Sequence, residues 1–188
     1  MKERLQEAVK VLHQGGVVAH ATETCYGLAV DVFNRKGIQA LYALKKMPFT
    51  KPVTLLVRDL DEAQQYGEFS TTALKLALQY WPGPLTLVVP RKNTLPQWIN
   101  PGEKTVGFRV SSNKKAKELV EAFGAPLSTT SANISGLAQA YSIQEMEAQG
   151  LKPDFILDSG KLGEQSPSTV VEVLSEATRV IRQGSLQI

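Results

Sequence analysis

The sequence predicts an α/β fold, a single domain in which a twisted, mixed β-sheet is flanked by helices. Short apolar runs typical of strands alternate along the chain with segments whose apolar residues recur at helical spacing. The connections differ in length, and the stretch 91–103 carries proline and glycine, which favours a mixed sheet over a regular parallel winding. With 188 residues, 43% of them apolar, one domain over residues 1–188 is expected.

Helices are predicted where apolar residues recur every three or four positions. The first covers 5–12. A later helix begins at the N-cap Asn113 and stops at Gly124, and Ser142 with Glu145 forms a capping box for another. The predicted strands are 17–20, 53–57, 85–89, 105–110, 126–128, 155–157 and 169–173.

Composition limits the function classes. The 21 Lys and Arg against 18 Asp and Glu give a net charge of +3, which tolerates a polyanionic ligand without demanding one. Cys25 is the single cysteine, so neither an intrachain disulfide nor a cysteine zinc cluster can form, and a reducing cytoplasmic location is expected. The first twelve residues do not resemble a signal peptide, and no stretch approaches a membrane span.

Several common catalytic motifs are missing. The sequence contains neither of the two most frequent glycine-rich phosphate loops and no G-x-S-x-G nucleophile elbow. His13 and His20 are the only histidines. A Ser-His-Asp hydrolase or a dedicated metal cage is therefore not expected.

The segment TETCYGL at 22–28 follows a predicted strand. Hydroxyls at the end of a strand, here Thr22 and Thr24, can bind a small polar ligand. The alternative is an ordinary turn in which Glu23 and Tyr26 are solvated.

The segment TTSANISG at 129–136 concentrates residues that form tight turns and can present backbone amides as an anion nest. Ser131 and Asn133 add side-chain donors. An ordinary turn is again the alternative.

Lys45 follows the helical spacing of Ile38, Leu41 and Tyr42, so it turns inward with them and is a candidate ligand for an anion. The alternative is a lysine that complements the helix dipole or extends to solvent.

Two arginines lie in or at the end of strand-like runs. Alternation along 105–110 puts Arg109 on the face opposite Phe108, where it either faces solvent or clamps a substrate carboxylate. Arg182 ends the run 178–182.

Several motifs occur in an order that resembles the YrdC/Sua5/YciO family, over nearly the whole chain. TETCYGL is similar to that family's TETVYGL, and VGFRV to its VGxRV. WPGPLT at 81–86 and SANISG at 131–136 match its WPGPLT and SANxSG. The closing blocks are SPSTVVEV at 166–173 and VIRQG at 180–184. Matched blocks in the right order are far more specific than any one alone.

The resemblance implies a YrdC-like domain with a concave basic pocket and the activity of the short bacterial members, threonylcarbamoyl-AMP synthase. L-threonine, bicarbonate and ATP would give threonylcarbamoyl-AMP and pyrophosphate for the modification of an adenosine in tRNA. The implied partners are tRNA or double-stranded RNA and a downstream tRNA threonylcarbamoyl transferase.

The resemblance also implies site residues by position. Those around threonine are Thr22, Arg109 and Ser168. Those around ATP are Lys45, Thr24, Ser131, Asn133 and Arg182. Lys45 and Arg109 are the implied catalytic residues. No protein metal site is implied, because Mg²⁺ would be held mainly by the phosphates.

The sequence departs from the family pattern at three places. The family's lysine, any residue, arginine, proline motif reads Lys45, Lys46, Met47, Pro48, so the arginine is missing. Lys46 or Lys51 offers only a point charge in its place. The proline before the first threonine is Ala21, and a histidine of longer relatives corresponds to Leu56. The lost arginine and the run VTLLVRDL resemble the YciO branch, which makes a paralogue that binds nucleotide or RNA, with weak or no synthase activity, the alternative.

Overall fold

Nine strands form one sheet in the computed structural model, which describes residues 2–188. The strands are β1 (Val18–Ala21), β2 (Tyr26–Ala29), β3 (Thr54–Leu56), β4 (Leu85–Pro90), β5 (Thr105–Arg109), β6 (Leu127–Ser131), β7 (Phe155–Leu157), β8 (Thr169–Leu174) and β9 (Ala177–Arg182). Their order across the sheet is β7-β1-β2-β6-β3-β5-β4-β8-β9. Pairs β1–β7, β3–β5 and β4–β8 are parallel and the others antiparallel, which confirms the predicted mixed sheet.

Six helices flank the sheet within residues 2–188. They are α1 (Lys2–His13), α2 (Arg35–Leu44), α3 (Leu60–Tyr66), α4 (Thr71–Tyr80), α5 (Lys114–Phe123) and α6 (Ile143–Ala148). The Asn113 side chain caps α5, and Gly124 ends it with φ of 78°. Ser142 caps α6, but the Glu145 carboxylate accepts from the amide of Tyr141, so the capping box is only half formed.

Two segments extend further into the sheet than predicted. The last three residues of TETCYGL, 26–28, are strand, because β2 returns antiparallel to β1 after a four-residue connection, 22–25. Tyr26 is fully buried, and its hydroxyl donates to the Gly160 carbonyl oxygen over 2.8 Å. The expected solvated turn is therefore wrong. Strand β6 likewise continues to Ser131, so the segment TTSANISG at 129–136, called the serine-rich motif below, begins inside the sheet.

The two faces of the sheet are covered unequally. One face packs against the apolar sides of α2, α3, α4 and α6 in the larger core cluster. On the other face, α1 and α5 cover only the part that includes Val18, Ala29, Leu56 and Leu127. The remainder of that face carries polar residues and glycine, which leaves a hollow over the strand centres. Within residues 2–188 no helix is long and apolar enough to cross a membrane.

Candidate active site

A cavity of about 240 Å³ occupies the uncovered part of the second sheet face. All eight side chains predicted to form the site line it: Thr22, Thr24, Lys45, Arg109, Ser131, Asn133, Ser168 and Arg182. The structure thus brings together residues spread over most of the chain. Their individual roles toward threonine or ATP stay predictions.

Lys45 lies at the end of α2 and is 2% exposed, so the interpretation as a solvent-facing lysine is wrong. Its Nζ donates to the carbonyl oxygen of Ser131, to the Asn133 carbonyl oxygen at 2.8 Å, and to Asn133 Oδ1 at 3.4 Å. An ammonium group has three donors, and here all of them point at the 131–133 segment. The lysine and the serine-rich motif therefore form one unit.

The surroundings of Lys45 disfavour its charged form. Burial, and then the nearby charge of Lys51, lower the pKa of Lys45 to about 8. The negative charge of a bound polyphosphate would offset both effects and favour the ammonium form. This environment suits a cation that acquires an anionic partner on ligand binding.

Nucleotide affinity should consequently depend on pH. A phosphate at the predicted ATP site would bind the protonated lysine. Because the proton is lost as pH rises through the pKa, ATP affinity is expected to fall about tenfold between about pH 7 and about pH 9. Lys45→Arg stays charged and should give a flatter profile. Calorimetric titrations across this range check the prediction, and a flat wild-type profile would contradict it.

Hydrogen bonds within the serine-rich motif and to the adjoining chain hold it in place. Asn133 Nδ2 donates to the carbonyl oxygens of Ile134 and Leu137, and Ser131 Oγ donates to Asn133 Oδ1. The backbone amides of residues 132–135 donate to acceptors inside the protein. The expected nest of free amides is therefore wrong for these four residues, and the motif offers side-chain hydroxyls and the bound lysine instead.

Arg109 faces the cavity rather than solvent and is only 8% exposed. Its Nη2 donates to Glu23 Oε1 at 2.8 Å and to Thr24 Oγ1 at 3.0 Å. Ser111 Oγ donates to the other oxygen of Glu23. Burial opposes ionisation of Glu23, but the Arg109 charge and these hydrogen bonds outweigh it and lower its pKa. Glu23 thus stays charged and orients Arg109.

Thr22 serves the turn that carries Glu23 and Thr24. Its Oγ1 donates to the Cys25 carbonyl oxygen at 2.7 Å and accepts from the amides of Thr24 and Cys25, each at 3.2 Å. The Thr22 hydroxyl therefore makes its hydrogen bonds within the turn and stabilises it. Contact of Thr22 with a threonine substrate stays a prediction.

Ser168 and Arg182 form a third group in the cavity wall, besides the groups around Lys45 and around Arg109. Arg182 Nε and Nη2 donate to the Ser168 carbonyl oxygen at 3.1 and 2.9 Å, and Nη2 also reaches Ser168 Oγ at 3.0 Å. Ser168 Oγ lies 3.1 Å from Thr86 Oγ1. The WPGPLT turn therefore contributes to the site through Thr86.

The position of Ser168 depends on the absence of a side chain at Gly184. A Cβ there would lie 2.1 Å from the Pro167 carbonyl oxygen and 2.5 Å from the Ser168 carbonyl carbon. Gly184→Ala is expected to displace Ser168 and to lower the free energy of unfolding by about 2 kcal/mol. Chemical denaturation measures the effect, with Gly163→Ala as control because a Cβ at 163 meets nothing within 4 Å. Equal stability of both variants would contradict this account.

The structure resolves three points that the sequence leaves open. Glu23 is not a solvated turn residue, because it pairs with Arg109. Of the two lysines considered as substitutes for the missing arginine, Lys51 lines the cavity, whereas Lys46 is exposed and lies outside it. Met47 is 6% exposed and belongs to the larger core cluster.

Comparison with known proteins now assigns the family. A family model named for Sua5, YciO and YrdC, with the description telomere recombination, matches residues 10–184. The chain belongs to this family. Relatives in it include the threonylcarbamoyl-AMP synthase of Vibrio cholerae, 36% identical over 97% of this chain and 98% of the relative. The protein of the same name from Buchnera aphidicola is 32% identical over 88% of this chain and 96% of its own.

Solved structures of the Sua5/YciO/YrdC family share the fold. P. abyssi Sua5 complexed with L-threonine is similar with a TM-score of 0.92 and 28% identity, over 98% of this chain and 55% of that protein. E. coli YciO is similar with a TM-score of 0.87 and 27% identity, over 98% of this chain and 90% of its own. The chain thus spans about half the length of the P. abyssi protein and most of YciO.

Proposed function

We propose that the protein is a threonylcarbamoyl-AMP synthase that converts L-threonine, bicarbonate and ATP into threonylcarbamoyl-AMP and pyrophosphate. The observation that carries the proposal is one cavity lined by four cationic side chains, Lys45, Lys51, Arg109 and Arg182. Both larger substrates carry anionic groups, a carboxylate on threonine and a triphosphate on ATP. Relatives that match nearly the full chain and carry this name support the assignment.

Threonine is assigned to Arg109 and Ser168, which line the same cavity. The Nε–H of Arg109 has no hydrogen-bond partner among residues 2–188, so this donor is available to a carboxylate. The Glu23 side chain holds the rest of the guanidinium in place. A threonine carboxylate bound here would leave its amine directed into the cavity. The L-threonine bound to P. abyssi Sua5 is consistent with such a subsite.

ATP is assigned to Lys45, Thr24, Ser131, Asn133 and Arg182. Lys45 now donates to carbonyl oxygens of the 131–133 segment, and a phosphate oxygen would replace one of these acceptors without moving the side chain far. Such a preorganised cation stabilises charge that develops during phosphoryl chemistry. Lys51 adds a second cation on the cavity wall.

The reaction needs positioning more than a covalent nucleophile. The threonine amine and bicarbonate give a carbamate and water. A carbamate oxygen then attacks the α-phosphorus in line, the bond from that phosphorus to the bridging oxygen breaks, and pyrophosphate leaves. The protein holds the reactants together: Arg109 positions the threonine carboxylate, and Lys45 offsets the phosphate charge.

Mg²⁺ would enter with the nucleotide. No carboxylate is found among the described residues that line the cavity, which instead offer hydroxyl groups. Mg²⁺ retains water readily and is commonly bound through substrate phosphates. The ATP phosphates and water would thus supply most of its ligands.

A second candidate is a YciO-type paralogue that binds nucleotide or RNA with weak or no synthase activity. Met47 favours it, because this residue is buried in the core where the family motif has arginine. Loss of one charge contact to a transferring phosphate can cost roughly 2–4 kcal/mol, which slows catalysis without preventing binding. The position of Lys51 on the cavity is the feature that favours the active enzyme.

Pyrophosphate release separates the two candidates. The protein is incubated with ATP, Mg²⁺ and bicarbonate, with each amino acid in turn, while ATP binding is measured independently. Threonine-dependent release, with threonylcarbamoyl-AMP detected by mass spectrometry, supports the synthase. ATP binding without release for any amino acid supports the paralogue.

The cellular context is also part of the proposal. The labile product would pass to a tRNA threonylcarbamoyl transferase, which makes tRNA an indirect or direct partner. Contact with tRNA or double-stranded RNA and a cytoplasmic location remain proposals.

A further inference from the structure

Among residues 2–188, three buried side-chain atoms lack a hydrogen-bond partner: His20 Nε2, Arg109 Nε and Ser159 Oγ. Arg109 lines the cavity, whereas His20 is not itself a lining residue. His20 is fully buried in β1 and has no role in the site described so far. Buried polar atoms without partners are rare, because each loses its hydration and gains nothing in return. Where such atoms persist beside a cavity, a ligand that completes them is the physical explanation to test.

Strand pairing places His20 against the cavity wall. His20 pairs with Gly27 across β1 and β2, and neighbouring residues at paired positions share one face of the sheet. A Cβ at Gly27 would lie 3.3 Å from His20 Nε2 and 3.4 Å from Thr129 Oγ1. Gly27 and Thr129 both line the cavity. The imidazole therefore lies beside Gly27, and its Nε2 is adjacent to the part of the cavity wall formed by Gly27 and Thr129.

The hydrogen bonding of His20 fixes what Nε2 can do. Nδ1 lies 3.1 Å from the Ala21 carbonyl oxygen, which can only accept, so Nδ1 carries the hydrogen. Nε2 then presents a lone pair and acts as an acceptor. Burial lowers the pKa of His20 to about 4 against a smaller opposing effect of the Ala21 hydrogen bond, which keeps the ring neutral.

We propose that His20 Nε2 accepts a hydrogen bond from the side-chain hydroxyl of the amino-acid substrate and so selects a β-hydroxy amino acid. The inference rests on the proposed function and names the residue that sets its specificity. Arg109 Nε is a donor that fits a carboxylate, and His20 Nε2 is an acceptor that fits a hydroxyl. The substrate amine fits Nε2 less well, because it must form the bond to the carbamate carbon, whereas the hydroxyl keeps its hydrogen throughout.

The test compares L-threonine with L-2-aminobutyrate, in which hydrogen replaces the hydroxyl. The wild-type protein is expected to prefer threonine by about tenfold or more, both in Kd from calorimetry and in kcat/KM from pyrophosphate release. His20→Phe removes the acceptor at similar size and should reduce the preference to about twofold or less. His20→Gln retains an oxygen acceptor and should retain part of the preference, which a merely structural role would not predict.

The outcomes separate this inference from the synthase assignment. Pyrophosphate release with both amino acids at equal efficiency keeps the synthase and overturns the role of His20. Preferential binding of threonine that is reduced in His20→Phe, without pyrophosphate release, keeps the role of His20 and contradicts the synthase. If His20→Phe does not fold, Gly27→Ala decides, because its methyl group lies against Nε2 and should also lower the preference; an unchanged preference in the folded variant overturns the inference.

Discussion

Replacing Lys45 by methionine is expected to lower kcat/KM for pyrophosphate release by about a hundredfold to a thousandfold. The methionine side chain is one atom shorter and lacks the charge that we assign to phosphate binding, and two carbonyl oxygens of the 131–133 segment lose their donor. ATP affinity should fall together with turnover. Steady-state kinetics and calorimetric ATP binding on the same preparation measure both effects.

Lys46→Met is the matched control for this substitution. It removes the same charge one residue further along the chain, where the side chain is exposed and outside the cavity. Its kcat/KM should stay within about twofold of the wild type. Equal losses in the two variants would mean that only the general positive field of the protein matters, and Lys45 would then have no place in the site.

Arg109→Met should abolish threonine binding and lower the free energy of unfolding by roughly 3 kcal/mol. The substitution leaves Glu23 charged in a mostly buried position, with Ser111 as its remaining side-chain partner. Glu23→Gln combined with Arg109→Met should recover most of the stability, because the uncompensated charge is gone, but none of the threonine affinity. Chemical denaturation and threonine titration measure the two properties separately.

Arg179→Met provides the comparison at an exposed ion pair. Arg179 Nη2 lies 2.9 Å from Glu172 Oε2. The Arg179 side chain is 72% exposed, whereas that of Arg109 is 10% exposed. Loss of the exposed pair should change the free energy of unfolding by less than about 1 kcal/mol. If the Arg109 variant is no less stable than the Arg179 variant, the Glu23–Arg109 pair does not organise the site.

Local periodicity predicted the parts of the site that depend on one helix or one strand. Helical spacing correctly placed Lys45 on the inner side of α2, because that side is defined by the neighbouring apolar residues. Alternation correctly placed Arg109 and Phe108 on opposite faces of the sheet, because Phe108 belongs to the apolar face of β5. Alternation could not decide whether Arg109 meets solvent or a cavity, since this depends on how far α1 and α5 extend over the sheet.

Long-range partners were beyond local reasoning. Glu23 and Arg109 are separated by 86 residues, and they meet because the sheet that contains β5 also contains β1 and β2, whose connection carries Glu23. The choice between Lys46 and Lys51 likewise depends on the path of the chain after α2. Strand β2 itself was missed because it is only four residues long and includes a glycine.

A crystal structure with L-threonine and a non-hydrolysable ATP analogue tests the central claim most directly. We expect both ligands in the cavity over the open part of the sheet, with the carboxylate on Arg109 and phosphate oxygens within hydrogen-bond distance of Lys45 Nζ. A nucleotide bound on another surface, with this cavity left to solvent, would contradict the account.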